Sequence, residues 1–138
     1  MRRVVITGMG VISPLGNTLA DYWEGLKAGR CGIGFITKFD PCESKVKIAA
    51  EVRDFDPALY MEKSEVRKTD LFAQYAMAAA VQAVADSALE MRDPRRLGVY
   101  MASGIGGLNT LMAEHQKLLE EGMRGVSPHC IPMMISNI

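Results

Sequence analysis

Residues 71–89 constrain the fold more than any other stretch of the chain. From Leu71 to Leu89 the sequence carries eight alanines, and only Gln74, Gln82, Asp86 and Ser87 interrupt its apolar character. The pattern predicts a helix. A helix apolar around most of its circumference is expected to be buried on more than one side, so this one needs layers of structure around it.

The neighbouring segments suggest what those layers are. Val4-Val5-Ile6 is a short β-branched run without polar alternation, closed by Gly8-Met9-Gly10, and it reads as a strand buried on both faces, as in a parallel sheet. A helix follows it: Thr18 can cap, with Asp21 three residues later, Tyr22, Trp23 and Leu26 supply apolar positions, and Gly29 supplies the stop. Residues 45–53 place Val46, Ile48, Ala50 and Val52 on one face, the period of a half-exposed strand, which Asp54-Phe55-Asp56-Pro57 ends. Beyond Pro94, residues 97–103 read as a second buried strand running into Gly104-Ile105-Gly106-Gly107. A helix over about 108–121 then stops at Gly122. Ser127-Pro128 forms an N-cap and N1 pair opening a short segment with Ile131, Met133, Met134, Ile135 and Ile138.

The order β-α-β-α-β-α predicts an α/β fold with helices packed on a mostly parallel sheet. Two core strands are few for such a sheet, and Ile135 and Ile138 form an apolar end with no cap. Residues 1–138 are therefore expected to be the incomplete front portion of a larger folding unit.

Composition narrows the functional classes. With 49% hydrophobic residues, and 16 Lys and Arg balanced by 16 Asp and Glu, the chain is not of the disordered class. Nor has it the basic excess that nucleic-acid binding needs. Cys31, Cys42 and Cys130 are widely spaced with no CxxC pair, which indicates neither a disulfide framework nor a zinc site. The start, from Met1 and Arg2, has too short an apolar run for a signal peptide, and no window has the length of a membrane span. A cytoplasmic location is expected, with no membrane partner.

Several motifs invite chemistry. Gly8-Met9-Gly10-Val11-Ile12-Ser13 partly matches the dinucleotide GxGxxG, but Ser13 takes the third glycine's place and Pro14-Leu15-Gly16-Asn17 puts a turn where the helix should begin. These departures favour a tight structural turn. Ser103-Gly104-Ile105-Gly106-Gly107 links a strand to a helix, where ligands bind in open α/β sheets. It is either a turn needing positive φ angles or a pocket wall carrying one large apolar residue, Ile105. Cys130 stands beside His129 near a helix start, a setting for a reactive thiol, but adjacent helical residues point in different directions, so His129 is no evident base and a packed structural thiol is the favoured reading. His115 has no second ligand at metal spacing. Lys63, Arg67 and Lys68 form either a solvated face or a dock for an acidic partner.

In order along the chain, Arg2 to Gly10, Ser13-Pro14-Leu15-Gly16-Asn17, Phe39-Asp40, Phe55-Asp56, Asp70 with Phe72, Gln74-Tyr75-Ala76, Ser103 to Gly107 and Ser127-Pro128 resemble the opening part of the elongating, type II β-ketoacyl-(acyl-carrier-protein) synthases. The resemblance implies the thiolase-like fold, with α-β-α-β-α layers and dimerisation. It also implies decarboxylative condensation of malonyl-carrier protein with acyl-carrier protein, with these two thioesters as substrates and no cofactor or metal. In that family a cysteine holds the acyl chain and two histidines assist decarboxylation; none of the three matches a residue of this sequence, so no catalytic residue is expected here and the chain alone is expected to be inactive.

What the resemblance transfers is binding. Ile105 matches the residue gating the acyl pocket, Cys130 and Ile131 match positions lining it across the dimer interface, and Arg67 and Lys68 match basic contacts to the acidic acyl carrier protein, with Lys63 a further basic residue beside Ser64. Ser64 replaces a common lysine, Thr69 a usual methionine, and His129-Cys130 a usual aromatic pair. A polyketide condensing domain, a noncatalytic chain-length partner and a free-standing module binding carrier protein or nucleotide remain as alternatives.

Overall fold

The computed structural model describes residues 3–90 and 93–135; the apolar end at Ile138, like Arg2, lies outside them. Helix α1 (Leu19–Lys27) opens as expected, with Thr18 Oγ1 accepting from the Asp21 amide at 3.2 Å and donating to Asp21 Oδ2 at 2.7 Å. Strands β1 (Ile33–Phe35) and β2 (Ile48–Ala50) pair antiparallel, Ile33 opposite Ala50 and Phe35 opposite Ile48. Helix α2 (Lys63–Val66), helix α3 (Leu71–Ser87), helix α4 (Leu108–Glu121) and helix α5 (Cys130–Met134) complete the regular elements, with 3-10 turns at Pro57–Leu59, Pro94–Arg96 and Gly122–Arg124.

The chain divides into two compact units, and the division falls inside α3. One holds Met1–Asp56 with Ala79–Leu89, the other Pro57–Ala78 with Glu90–Ile138.

In the first unit the run at Val4-Val5-Ile6 is not a strand. Val4 is 92% exposed, with Val5 and Ile6 also exposed. A strand requires a neighbour to take its amides and carbonyls, and here α3 does part of that work: the Met9 amide donates to Asp86 Oδ2 at 2.9 Å and the Val11 amide to Gln82 Oε1 at 3.3 Å. Gly8 and Gly10 make that approach possible. A Cβ on Gly10 would collide with the Ala79 carbonyl and stand 2.8 Å from the Ala83 amide, and one on Gly8 would strike the Ala83 carbonyl. Ser13 and Gly16 then exchange backbone hydrogen bonds across a turn, and α1 begins only at Leu19. The glycines are thus packed against a helix rather than set at a helix N-terminus to cradle a phosphate, in keeping with a tight structural turn and not with dinucleotide binding.

The strand expected over 45–53 is reduced to β2, and its faces are inverted. Val46 and Ile48 point outward, whereas Glu51 on the opposite face is buried. Its carboxylate accepts from the Thr37 amide and hydroxyl and from the Lys38 amide, at 2.8 to 3.3 Å. These donors, the Thr37 hydroxyl foremost, hold the Glu51 carboxyl below its ordinary value against the opposing effect of burial. The alternation in the sequence was real, but a charge-assisted hydrogen-bond set, not apolar burial, decided which side faces in.

In the second unit residues 97–103 also form no strand, and Tyr100 is 97% exposed with Val99 and Met101. No described strand lies beside them. The sheet of the described residues is therefore two-stranded and antiparallel rather than mostly parallel. Helix α3 forms where expected but ends at Ser87, and it is not buried on several sides. Met77, Val81 and Val84 are exposed, and Ala78 is the one buried hydrophobic residue among those described.

Candidate functional site

The loop Ser103-Gly104-Ile105-Gly106-Gly107 is closed from within and clamped from outside. Ser103 Oγ accepts from the Gly106 amide at 3.0 Å, and the Gly107 amide donates to the Met134 carbonyl at 2.8 Å. Gly106 has φ 84, and a side chain on it would strike that same carbonyl. A Cβ on Gly107 would lie 2.9 Å from both Asp70 Oδ2 and the Met133 carbonyl, so the corner admits only glycine. Ile105, held between these glycines, is 77% exposed. It lines an open cavity of about 280 Å³ together with Ser103, Gly104, Gly106, Leu108, Leu111, Met134 and Ile135. None of these residues titrates, so the cavity can hold an apolar group but offers it no acid or base, and the Ser103 hydroxyl has no base among the lining residues.

Buried polar side chains hold this corner. Asp70 Oδ2 accepts from the Thr110 amide at 3.0 Å and from its hydroxyl at 2.5 Å, which fastens the first turn of α4 to the start of α3. One turn along α3, Gln74 Nε2 donates to the Val66 carbonyl at 3.1 Å and the Thr69 carbonyl at 2.9 Å. On α4, Glu114 accepts from Lys117 Nζ and from the Ser127 amide, both at 2.6 Å. The Lys117 ammonium and the Ser127 amide lower the Glu114 carboxyl below its ordinary value, and Glu114 in turn raises Lys117. Ser127 thereby becomes the anchored start of the segment leading to α5; Ser127 Oγ accepts from the His129 amide, and the helix itself begins at Cys130 rather than at Pro128. Pro132 is tolerated because it lies in the first turn, where its missing amide has no helical partner.

The residues singled out from the sequence fall into separate groups. Lys63, Arg67 and Lys68 share an exposed turn: Arg67 Nε donates to the Lys63 carbonyl at 3.3 Å, and Lys68 Nζ lies 3.6 Å from Glu65. Ile105 lines the cavity. Cys130 is half-buried and Ile131 exposed at the start of α5, one turn before the cavity-lining Met134 and Ile135, and neither lines the cavity itself. His115 and His129 are exposed, and no cluster of metal-binding side chains occurs among the described residues. No described helix is long and apolar enough to cross a membrane. Sequence reasoning missed Thr110 and Glu114 and gave Asp70 and Gln74 no role. The available signal was the placement of Asp70 and Gln74 four residues apart at the start of an otherwise apolar helix, which puts both on one face.

Comparison with known proteins bears on the whole chain. Residues 1–138 match the family model described as the β-ketoacyl synthase N-terminal domain. The chain is 50% identical to a 3-oxoacyl-[acyl-carrier-protein] synthase 2 of Coxiella burnetii and 47% identical to one of Vibrio cholerae, over 99% of its own length and 34% of theirs. Among solved structures, the ishigamide ketosynthase/chain length factor superposes with a TM-score of 0.81 at 32% identity, over 98% of this chain and 34% of that one. A type II PKS acyl-carrier protein in complex with its ketosynthase gives 0.78 at 28% identity, over 98% of this chain and 35% of that one. The chain thus spans about a third of the length of the curated relatives it matches, and its fold is that of the N-terminal part of a thiolase-like α/β ketosynthase.

Proposed function

The chain belongs to the β-ketoacyl synthase family, and from that membership we propose that it forms part of a 3-oxoacyl-[acyl-carrier-protein] synthase acting in fatty-acid chain elongation. In this reaction a cysteine thiolate attacks the acyl-carrier thioester and takes the acyl chain as its own thioester, the carrier's sulfur leaving as the thiol. Cleavage of the carboxylate bond of malonyl-carrier protein releases CO₂ and leaves its electron pair on the adjacent carbon. That carbon attacks the thioester carbonyl, the new carbon–carbon bond forms, and the cysteine leaves as thiolate. None of the residues here is assigned the nucleophile or the two histidines.

Their part is recognition. The observation that carries the reading is the cavity in which the side chains of Ile105, Leu108, Leu111, Met134 and Ile135 face Ser103, Gly104 and Gly106, free of titratable groups. Each methylene of an acyl chain transferred from water onto its apolar wall gains about 0.8 kcal/mol, while the Ser103 hydroxyl and the glycine backbone form the polar part of the lining. Ile105 serves as its gate, and Cys130 and Ile131 complete the pocket across a homodimer interface. Lys63, Arg67 and Lys68 dock the acidic acyl carrier protein, whose charge raises the rate of encounter more than the final affinity. The protein works in the cytoplasm without cofactor.

Two alternatives are weaker. Likeness to polyketide ketosynthase structures supports a polyketide condensing domain or a noncatalytic chain-length partner, but at 28 to 32% identity against 47 to 50% for the fatty-acid relatives quoted. A free-standing carrier-binding module fits poorly with one buried hydrophobic residue among those described. The test is to assay the complete gene product carrying these residues with malonyl- and acyl-carrier protein. Release of CO₂ with formation of the 3-oxoacyl product is expected, and none from the 138-residue chain alone; carrier binding without condensation by the complete product would favour the noncatalytic partner.

A further inference from the structure

Two features assigned separate tasks, the basic turn and the Ile105 loop, are fastened to the same turn of α3. The carbonyls of Val66 and Thr69 bracket Arg67 and Lys68, and both accept from Gln74 Nε2. The amide of Gln74 donates to the Asp70 carbonyl at 3.1 Å. The carboxylate of Asp70 accepts from the Thr110 amide and hydroxyl and backs onto the position a Gly107 side chain would take. Asp70, Gln74, Gly107 and Thr110 are all buried. A displacement of the 66–69 backbone therefore meets no solvent layer to absorb it before it reaches the corner that carries Ile105. A buried carboxylate with two donors, or a buried amide bridging two carbonyls, resists stretching because each broken bond leaves a desolvated group unpaired.

We propose that Asp70, Gln74 and Thr110 are positioning residues that couple carrier docking at Arg67 and Lys68 to the conformation of the Ile105 loop, so that the docked carrier biases the gate its own acyl chain must pass. The proposal rests on the docking and pocket reading above. It names the route by which an acidic partner that never touches Ile105 acts on it. Coupling of this kind between two sites is a shared free energy, commonly worth about fivefold or more in either site's equilibrium.

The experiment is amide hydrogen exchange over residues 103–111 in the complete gene product, with and without saturating octanoyl-acyl carrier protein. Carrier binding is expected to change exchange at Gly106 and Gly107 by about fivefold. In Thr110→Val, which keeps the side-chain shape and removes the hydroxyl donor to Asp70, that response is lost while the carrier still binds; Thr110→Ser restores it. Carrier affinity is measured in parallel on every variant and on Arg67→Glu/Lys68→Glu. An exchange response equal in wild type and Thr110→Val, or no response despite saturated binding, overturns the coupling and leaves the docking reading standing. Unchanged carrier affinity in Arg67→Glu/Lys68→Glu overturns the docking reading and the coupling with it.

Discussion

Helix α3 serves two regions of the molecule by different means. Toward residues 8–17 its C-terminal half offers bare backbone: Gly8 and Gly10 lie against Ala79, Ala83 and Ser87 with no room for a Cβ, and Gln82 and Asp86 catch the amides of Val11 and Met9. Toward residues 66–69 and 103–110 its N-terminal end works through side chains that reach outward, Asp70 to Thr110 and Gln74 to the carbonyls of Val66 and Thr69. The first arrangement needs two positions without side chains before its two side-chain acceptors can reach, whereas the second rests on side-chain chemistry throughout. Both organise irregular chain by satisfying its backbone groups, a task that apolar packing cannot perform.

Breaking the first region should have the larger effect. Gly10→Val sets a branched side chain into the α3 backbone, where overpacking costs about 3 kcal/mol. Chemical denaturation of the complete gene product should show it, with exchange rising at residues 8–17 before residues 103–110; wild-type stability would mean that the glycine contact is dispensable. Breaking the second region should cost somewhat less. Asp70→Ala leaves the Thr110 amide and hydroxyl unpaired, a loss of about 2 kcal/mol, and Asp70→Asn should recover part of it by keeping one acceptor.

A pH titration sharpens the same contrast. Glu114 and Glu51 have folded-state values below the ordinary 4.5, through Lys117 with Ser127 and through Thr37 respectively. Their stabilisation is therefore present above pH 4.5 and is lost as the pH falls through the folded values. Lys117, raised above 10.5 by Glu114, contributes fully below that pH and loses its contribution as the pH rises through the folded value. Stability measured below pH 4.5 should fall less steeply in Glu114→Gln than in wild type, whereas a parallel slope would remove Glu114 from the account. The smallest effect is expected at the surface. The Glu65 and Lys68 pair is exposed on both sides, so Glu65→Gln should change stability by less than about 0.5 kcal/mol. By freeing Lys68 it should tighten binding of an acidic carrier protein at low salt, and weaker binding would count against the dock.

Much of the local structure was legible in the sequence. Thr18 with Asp21 announced α1, and the span of α4 from Leu108 to Glu121 followed from Gly107 before it and Gly122 after it. The glycine loop was recognisable as a corner carrying one apolar residue. What misled was apolar content read as burial: Val4 to Ile6 and residues 97–103 carry the composition of core strands, yet they have no ladder partner among the described residues. The inverted face of β2 shows the same limit, because Glu51 finds three donors that lie 13 and 14 residues away in sequence.

By itself, then, the sequence determined helices α1, α3 and α4, the Thr18 cap, the glycine corners and a family pattern, all properties of residues near one another in the chain, but neither α2 nor the start of α5. Tertiary structure alone decided what the polar interruptions of α3 do. Gln74, Gln82 and Asp86 read as breaks in an apolar surface, and each proves to hold backbone outside the helix: Gln74 the turn just before it, Gln82 and Asp86 segments 71 and 77 residues away. The physical reason is that a buried polar side chain is defined by its partner, and hydrogen bonds across tens of residues leave no periodicity in the sequence.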